Sequence, residues 1–429
     1  MDTSQPLAPG SLDPDFATNG IFTFTTDPYG MLSINRLALS SDGSITVALR
    51  HLVREHEKNF YCLARLLNDG TPDPAFGRHG LVQGQFKEDA ESWGASVAIR
   101  DEKSILLSGH YLPQGTDAVP RKVALVQYTT EGRIDSGFGE KGFVYLDFPP
   151  PKSTTESQHT PAGGPPDMPI EFFGFKVTPL PDGKIMFSGV LEVQTKVGAP
   201  WTRFSVLGRL KSDGSLDESF GERGWVYPKP PLNIADQHLI QADGKILLTG
   251  QMENVPGGRG YVARYLPDGT LDNGFGSSGY VLFEGLDGGH VTAMALHGAE
   301  EKLLIGANKK VNGDWSGVLR SYTRQGEPDV EFNGGQPLDV KLGASSFKLI
   351  LKDMVIDDDG VVLLGEMGNI ALVRYFLDGS PDLGYGNRSG WQEVSGTETY
   401  ALARQPDGKL VATAMAVSGE KIVARFLSN

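Results

Sequence analysis

An aspartate recurs along this chain at Asp13, Asp73, Asp135, Asp217, Asp272, Asp329 and Asp382. Regular carboxylates suggest calcium, but that ion takes about six to eight oxygens. Each copy offers two at most, such as Asp213 and Asp217, so the expected role is an Asx-type turn in which the carboxylate accepts from nearby backbone amides. Arg65, Arg209, Arg264 and Arg374 each stand eight residues before a motif Asp. Gln127 takes that place once, Arg320 is displaced by one residue, and Arg425 has the N-terminal copy, Asp13, for a partner. An arginine inside an apolar strand needs a counter-charge. Its recurrence points to a structural ion pair repeated through the fold, not to a catalytic group.

Other chemistry is weaker. His51-Leu52-Val53-Arg54-Glu55-His56 invites a zinc-protease reading, which needs two histidines one helical turn apart. The spacing here is one residue too long, and the segment reads as a strand-to-strand loop. No serine sits in a Gly-x-Ser-x-Gly elbow, and no glycine-rich phosphate loop opens a helix. The single cysteine, Cys62, excludes an intrachain disulfide and a thiolate metal site, and Phe60-Tyr61-Cys62-Leu63-Ala64 places it in the core. Asp357-Asp358-Asp359-Gly360 reads as a solvated turn. No metal and no cofactor is expected.

The elements that must position these residues are legible from the repeat. Gly214-Ser215-Leu216-Asp217-Glu218-Ser219-Phe220-Gly221 recurs as Gly269-Thr270-Leu271-Asp272-Asn273-Gly274-Phe275-Gly276, with further copies beginning at Gly10, Gly70, Gly132, Gly326 and Gly379. The aromatic three residues after the Asp is Phe16, Phe76, Phe138, Phe220, Phe275, Phe332 or Tyr385. Before each motif runs an apolar strand such as Tyr261 to Leu266, and earlier still an Asp-Gly hairpin such as Pro181-Asp182-Gly183-Lys184. Each repeat therefore supplies four short strands, A to D from the channel outwards. The chain opens with only a D strand near Gly20 to Phe24 and closes with a C strand at Lys421 to Leu427. The two ends complete one blade, which removes free sheet edges.

The expected fold is all-β: a single-domain, seven-bladed β-propeller over residues 1–429, four antiparallel strands per blade, closed by pairing the N-terminal strand with the C-terminal ones. Residues 1–26 hold the outer strand of the closing blade, and 148–171 form a long Pro- and Gly-rich insertion loop. A formal net charge of −14 with no basic run argues against nucleic-acid binding. No run of about 18 apolar residues predicts membrane insertion, and Met1 to Pro6 has neither a basic nor an apolar leader region. The expected location is cytoplasmic, or exported without a cleavable signal peptide.

The pattern Asp-Gly-Lys-Ile-Leu, an Ala-Arg-Tyr strand, then Asp-Gly-Thr-Leu-Asp-x-x-Phe-Gly between Asp243 and Gly279 resembles the delta-sixty repeat propellers, a bacterial family. The resemblance covers nearly the whole chain. It departs at Gly298-Ala299-Glu300-Glu301, which replaces Asp-Gly, and at Asn333, where Phe-Gly becomes Phe-Asn. It implies a propeller, often an exported one, and no general activity.

Connection lengths carry the functional expectation. A–B and C–D turns read as short throughout, whereas B–C and D–A connections vary and collect on one rim, where binding loops sit on a rigid scaffold. That rim is expected to carry His51, His56, Trp93, Tyr111, Trp201 and Trp315, with Phe172, Phe173 and Trp391 beside them and about half of the aromatics exposed. The sequence thus predicts a non-enzymatic recognition or scaffold module for a protein or glycan partner. The alternative is a propeller hydrolase or lyase with its site at the channel mouth on the same face.

Overall fold

In the computed structural model each repeat folds as a four-stranded meander. Blade four shows the scheme: strand A is Leu232–Ile240, B Ile246–Met252, C Arg259–Tyr265 and D Tyr280–Phe283, each antiparallel to the next. Its central strand B buries Ile246, Leu247, Leu248 and Thr249 in succession. Adjacent blades cover both faces, so no polar side of the strand is needed. Seven such sheets form the ring, and the described residues are 7–24, 30–53, 58–113, 122–148, 170–194, 201–228, 232–252, 259–283, 285–286, 289–342, 349–358 and 360–428.

The closing sheet is composite. Ile21–Phe24 pairs with Lys421–Phe426, which pairs in turn with Leu410–Met415 and Glu398–Arg404. The seam is locked by charge as well: Arg425 Nε and Nη2 lie 2.9 and 2.8 Å from Asp13 Oδ2, with both side chains buried.

The repeated motif makes the joints between blades. In all seven copies the Asp Oδ1 accepts from the amide two residues on, as in Asp73 to Ala75 at 2.9 Å and Asp272 to Gly274 at 3.1 Å. Oδ2 remains for the strand-C cation. Arg209 Nε reaches Asp217 at 2.7 Å, Arg264 Nε reaches Asp272 at 2.8 Å, Arg65 Nε lies 3.5 Å from Asp73, and Arg374 Nη1 bonds Asp382. Gln127 Nε2 makes the same bond to Asp135 at 2.8 Å. In blade five Ser321 occupies the position, and Lys302 Nζ meets Asp329 at 3.1 Å.

Four of these guanidinium groups then reach onward. Arg65 Nη1 donates to the Thr130 carbonyl, Arg209 to Pro267, Arg264 to Arg324 and Arg425 to Asn68, always in the next blade's C–D turn. Blade two lacks the strand-C arginine, and Arg100 of its strand A replaces it. Arg100 donates to Gln127 Oε1 at 2.7 Å and to the carbonyls of Gly183 and Ser212 at 2.8 Å.

The aromatic completes the joint. Phe16, Phe76, Phe138, Phe220, Phe275, Phe332 and Tyr385 are all at most 2% exposed. Each ring except that of Phe332 seats on the first glycine of the next copy: a Cβ at Gly70 or Gly269 would fall 2.7 Å from Phe16 or 3.0 Å from Phe220. The residue after the aromatic donates its amide across the boundary: Gly77 to Glu131, Gly139 to Asp213, Gly221 to Asp268, Gly276 to Gln325, Asn333 to Asp378, Gly386 to Pro9 and Ala17 to Asp69, at 2.7–3.0 Å. That residue is held at positive φ, 49° for Gly276 and 47° for Asn333. Asparagine tolerates this region, so the departure at Asn333 keeps the bond.

Two expectations change. The C–D connections vary little in length but are not short; they span 67–80, 130–142, 211–224, 266–279, 323–337 and 377–390, because the whole joint motif lies in them. Asp357 is no solvated turn residue: Arg374 Nε and Nη2 grip its carboxylate at 2.8 and 2.9 Å, while Asp358 is exposed. Ile170 and Glu171 already belong to strand A of blade three, and 149–169 of the insertion lie outside the described residues. Cys62 is fully buried, and burial pushes its thiol up to about 12. Among the described residues no helix is long and apolar enough to cross a membrane.

Candidate functional site

Every strand A carries a register shift against its strand B: between Ile34 and Arg36, Gly94 and Ser96, Phe173 and Lys176, Ala235 and Gln237, Val291 and Ala293, Leu351 and Asp353, and Thr399 and Ala401. A bulge leaves a residue unpaired and re-aims the side chains beside it. Strand A lines the channel, so seven bulges make an internal belt whose residues the ladder does not consume.

Four of these bulges meet at one cavity of about 400 Å³. Asn35, Ala95, Phe175 and Tyr400 line it from blades one, two, three and seven, with Arg36 and Lys176 following two of them. Arg50 and His110, near the strand-B ends that lead into B–C connections, and Trp93 near the start of its strand A, put the opening on the loop-bearing side. Among the described residues its lining holds three cations and no carboxylate.

The cations are held in different ways. Arg50 Nε donates to Asn59 Oδ1 at 2.6 Å, Asn59 donates on to Glu91 at 2.5 Å, and the guanidinium lies 5.8 Å from the Trp93 ring centre. Lys176 Nζ donates to the His238 carbonyl at 2.9 Å. Burial first, and then the positive charge of Arg36, bring the Lys176 ammonium down to about 8. Asp353 supplies the balancing charge from blade six. Its Oδ2 accepts from the Leu402 amide and its Oδ1 from the Met354 amide, both at 2.9 Å, and burial raises its pKa despite the pull of Arg36. Arg36 makes no hydrogen bond to a described residue and feels its neighbours only through space. His238 is buried, bonded at Nδ1 to Ser188 Oγ at 2.7 Å, and pushed well below the usual histidine range by burial and by Lys176.

Of the sequence-predicted rim residues, the cavity gathers Trp93 alone. His51 follows Arg50 on strand Ile45–Val53 and so points to the opposite sheet face. Tyr111 is a correction: it is 4% exposed, packs edge-on against Tyr145 at 5.8 Å, and belongs to the core of blade two. Its phenol is raised to about 12 by burial. Trp315 is half-buried on blade five between Lys310, 5.1 Å from its ring centre, and His290 at 6.4 Å. Trp391 is also half-buried, so none of these described aromatics is fully exposed. His56 and the side chains of Trp201, Phe172 and Phe173 lie outside the described residues.

Arg36, Arg50, His110, Lys176, Asp353 and Tyr400 were not singled out by the sequence. The signal was there in weak form: Arg36, Lys176 and Asp353 interrupt apolar strand-A segments where each blade differs from the next.

The fold defines a β-propeller. A family model described as a β-propeller domain of unknown function, DUF5122, matches residues 241–275, within blade four. No curated protein matches the chain. The β-propeller domain of the trilobed protease from Pyrococcus furiosus, which has an open velcro topology, superposes with a TM-score of 0.49 at 8% identity, covering 94% of each chain. Extracellular domains 1–2 of Drosophila Semaphorin 1b give 0.49 at 10% identity over 97% of this chain and 88% of that one. The Pyrococcus horikoshii acylaminoacyl peptidase gives 0.46 at 10% identity, and this chain spans about half of its length, 49%.

Proposed function

We propose that this chain is a non-enzymatic recognition module of the delta-sixty repeat type, engaging a protein or glycan through the face that bears the B–C and D–A connections. The observation that carries the reading is the cavity at the channel mouth, built by four blades and opening on that face. The opposite face is committed to the fold, since motif amides donate to the turn carbonyls of the next blade around the ring. A recognition site needs polar groups convergent on a partly apolar recess, and Arg36, Lys176 and Asn35 beside Trp93 and Tyr400 answer that description.

The displaced pKa values of Lys176 and Asp353 favour the enzyme reading, because acid–base sites shift pKa in this way. Asp353 is engaged by two backbone amides and does not line the cavity, so among the described residues the recess lacks the paired carboxylates of a glycosidase.

Capture of partners from the source organism, run beside a glycan array and followed by hydrogen exchange of the complex, tests the reading. Protection is expected at 33–36, 91–95 and 398–400. Protection confined to the Asp-Gly turns at 181–184 and 406–409 overturns it.

A further inference from the structure

The cavity at the channel mouth is cationic inside a protein of formal net charge −14. Placing like charges together in a partly enclosed recess costs stability unless something negative joins them. Arg50 has Asn59 and, through it, Glu91; Lys176 has only a carbonyl; Arg36 has no described hydrogen-bond partner. Asp353 can balance one of Arg36 and Lys176, not both. Among the described residues one positive charge is therefore left facing the cavity.

We infer that this cavity binds a small organic anion, its carboxylate between Arg36 and Lys176 and its body against Trp93 and Tyr400. This rests on reading the loop-bearing face as the recognition face, and it names the ligand class. The volume of about 400 Å³ accommodates one sugar-sized ring with its substituents. An arginine and an ammonium converging on one carboxylate give charge-assisted bonds, stronger than neutral ones. The Trp93 indole offers a flat face for a ring, and Asn35 adds amide hydrogen-bonding capacity. The ligand class that meets these demands is an acidic monosaccharide, free or at the end of a glycan. The charged groups facing Lys176 are Arg36 of blade one and Asp353 of blade six, with the neutral His238 behind it. Binding should therefore weaken from neutral pH to about pH 9, where Lys176 has lost its proton.

Titration calorimetry of the full chain with glucuronate, glucose and inorganic phosphate tests this. Saturable glucuronate binding, with no heat from glucose, is expected. Phosphate, which shares the charge but lacks the ring, should compete more weakly. Arg36→Met should weaken glucuronate roughly tenfold or more, the loss of one charge-assisted contact. If Arg36→Met melts below the parent, Arg36→Lys replaces it as the probe and should retain part of the affinity. Arg133→Ala, an exposed arginine in a C–D turn, should bind as the parent does. Equal binding of glucose and glucuronate, unchanged affinity in a folded Arg36→Met, or no anion binding at all overturns the inference. If rim protection by a captured partner survives that result, only the ligand class has failed; if it too is absent, the recognition face itself is wrong.

Discussion

The two rims of this propeller obey different rules. On the turn rim one joint recurs: in all seven copies a carboxylate closes an Asx turn and an amide crosses the boundary, in six an aromatic seats on a glycine, and in most a cation carries on to the next blade. Where the sequence departs from the pattern, another residue restores the bond, as Arg100 does for the missing strand-C arginine and Lys302 does in blade five. At the channel mouth the bulge recurs in every blade, but the residues set on it differ. Arg36, Ser96, Lys176, Gln237, Ala293, Asp353 and Ala401 follow the seven bulges and range from cation to carboxylate to alanine. Repetition marks what holds the ring; variation on a repeated backbone marks what the ring can be used for.

The contrast can be broken most violently at the seam. Deleting residues 1–26 removes Asp13, Phe16 and the strand paired to Lys421–Phe426, and should produce aggregation or a large fall in melting temperature. A truncated chain that stays monomeric by gel filtration and melts with the parent would show that the turn rim does not seal the ring.

Next in size is a single joint. Arg264→Ala removes the buried guanidinium and leaves the partly buried Asp272 with Lys245 alone, 3.2 Å away, and should cost about 1.5–3 kcal/mol in denaturant unfolding. Adding Asp272→Ala should cost less than the two single losses together, since the pair acts as a unit. Arg100→Ala should cost a similar amount although Arg100 lies outside the repeat pattern, and Gln127→Arg in that background should recover part of it. Failure of that rescue would mean that Arg100 does not stand in for the strand-C cation.

The opposite sign is expected at the channel. Lys176→Met should stabilise the protein near neutral pH, because it removes a disfavoured buried ammonium. The sign with pH follows from linkage. The folded chain releases the Lys176 proton near pH 8, whereas the unfolded chain holds it to about 10.5, so the parent gains stability as pH rises between them. The advantage of the variant should shrink over that window, read from melting curves of both proteins. An advantage that stayed constant with pH would remove Lys176 as its cause.

Smallest of all are the exposed turns. Asp182→Lys and Asp407→Lys each lose one Asx bond to the second amide after them, and stability should move by about 1 kcal/mol or less. Partner binding at the loop-bearing face should be unchanged; its loss would reverse the roles of the two rims.

Much of the turn rim was legible before any coordinates, because a motif written seven times can be compared with itself. The Asp–Arg spacing, the aromatic and the closing strand all follow from that internal comparison. What escaped was anything reached by a second strand: Arg100 serves a residue on strand C from strand A, and Asp357 meets Arg374 from a turn. The channel-mouth site escaped for the same reason in stronger form. Its residues come from four blades, far apart in the chain, and nothing repeats to align them. Tyr111 was misplaced because a tyrosine near a strand end reads alike whether it points to solvent or, as here, into the packing around Phe86.

Asp13 and Arg425 are separated by 412 residues, which sets a clock on the folding of this molecule. The strand Ile21–Phe24 is made well before its partner Lys421–Phe426. Until the latter arrives, the early strand has no sheet to join, and six blades can stack on their neighbours while the seventh waits. Sheet contacts of such long range form late and slowly, because the loop must close before the contact repays it. The seam therefore acts as a completion signal: a ring that lacks Lys421–Phe426 keeps an open edge, and only the closed ring hides it.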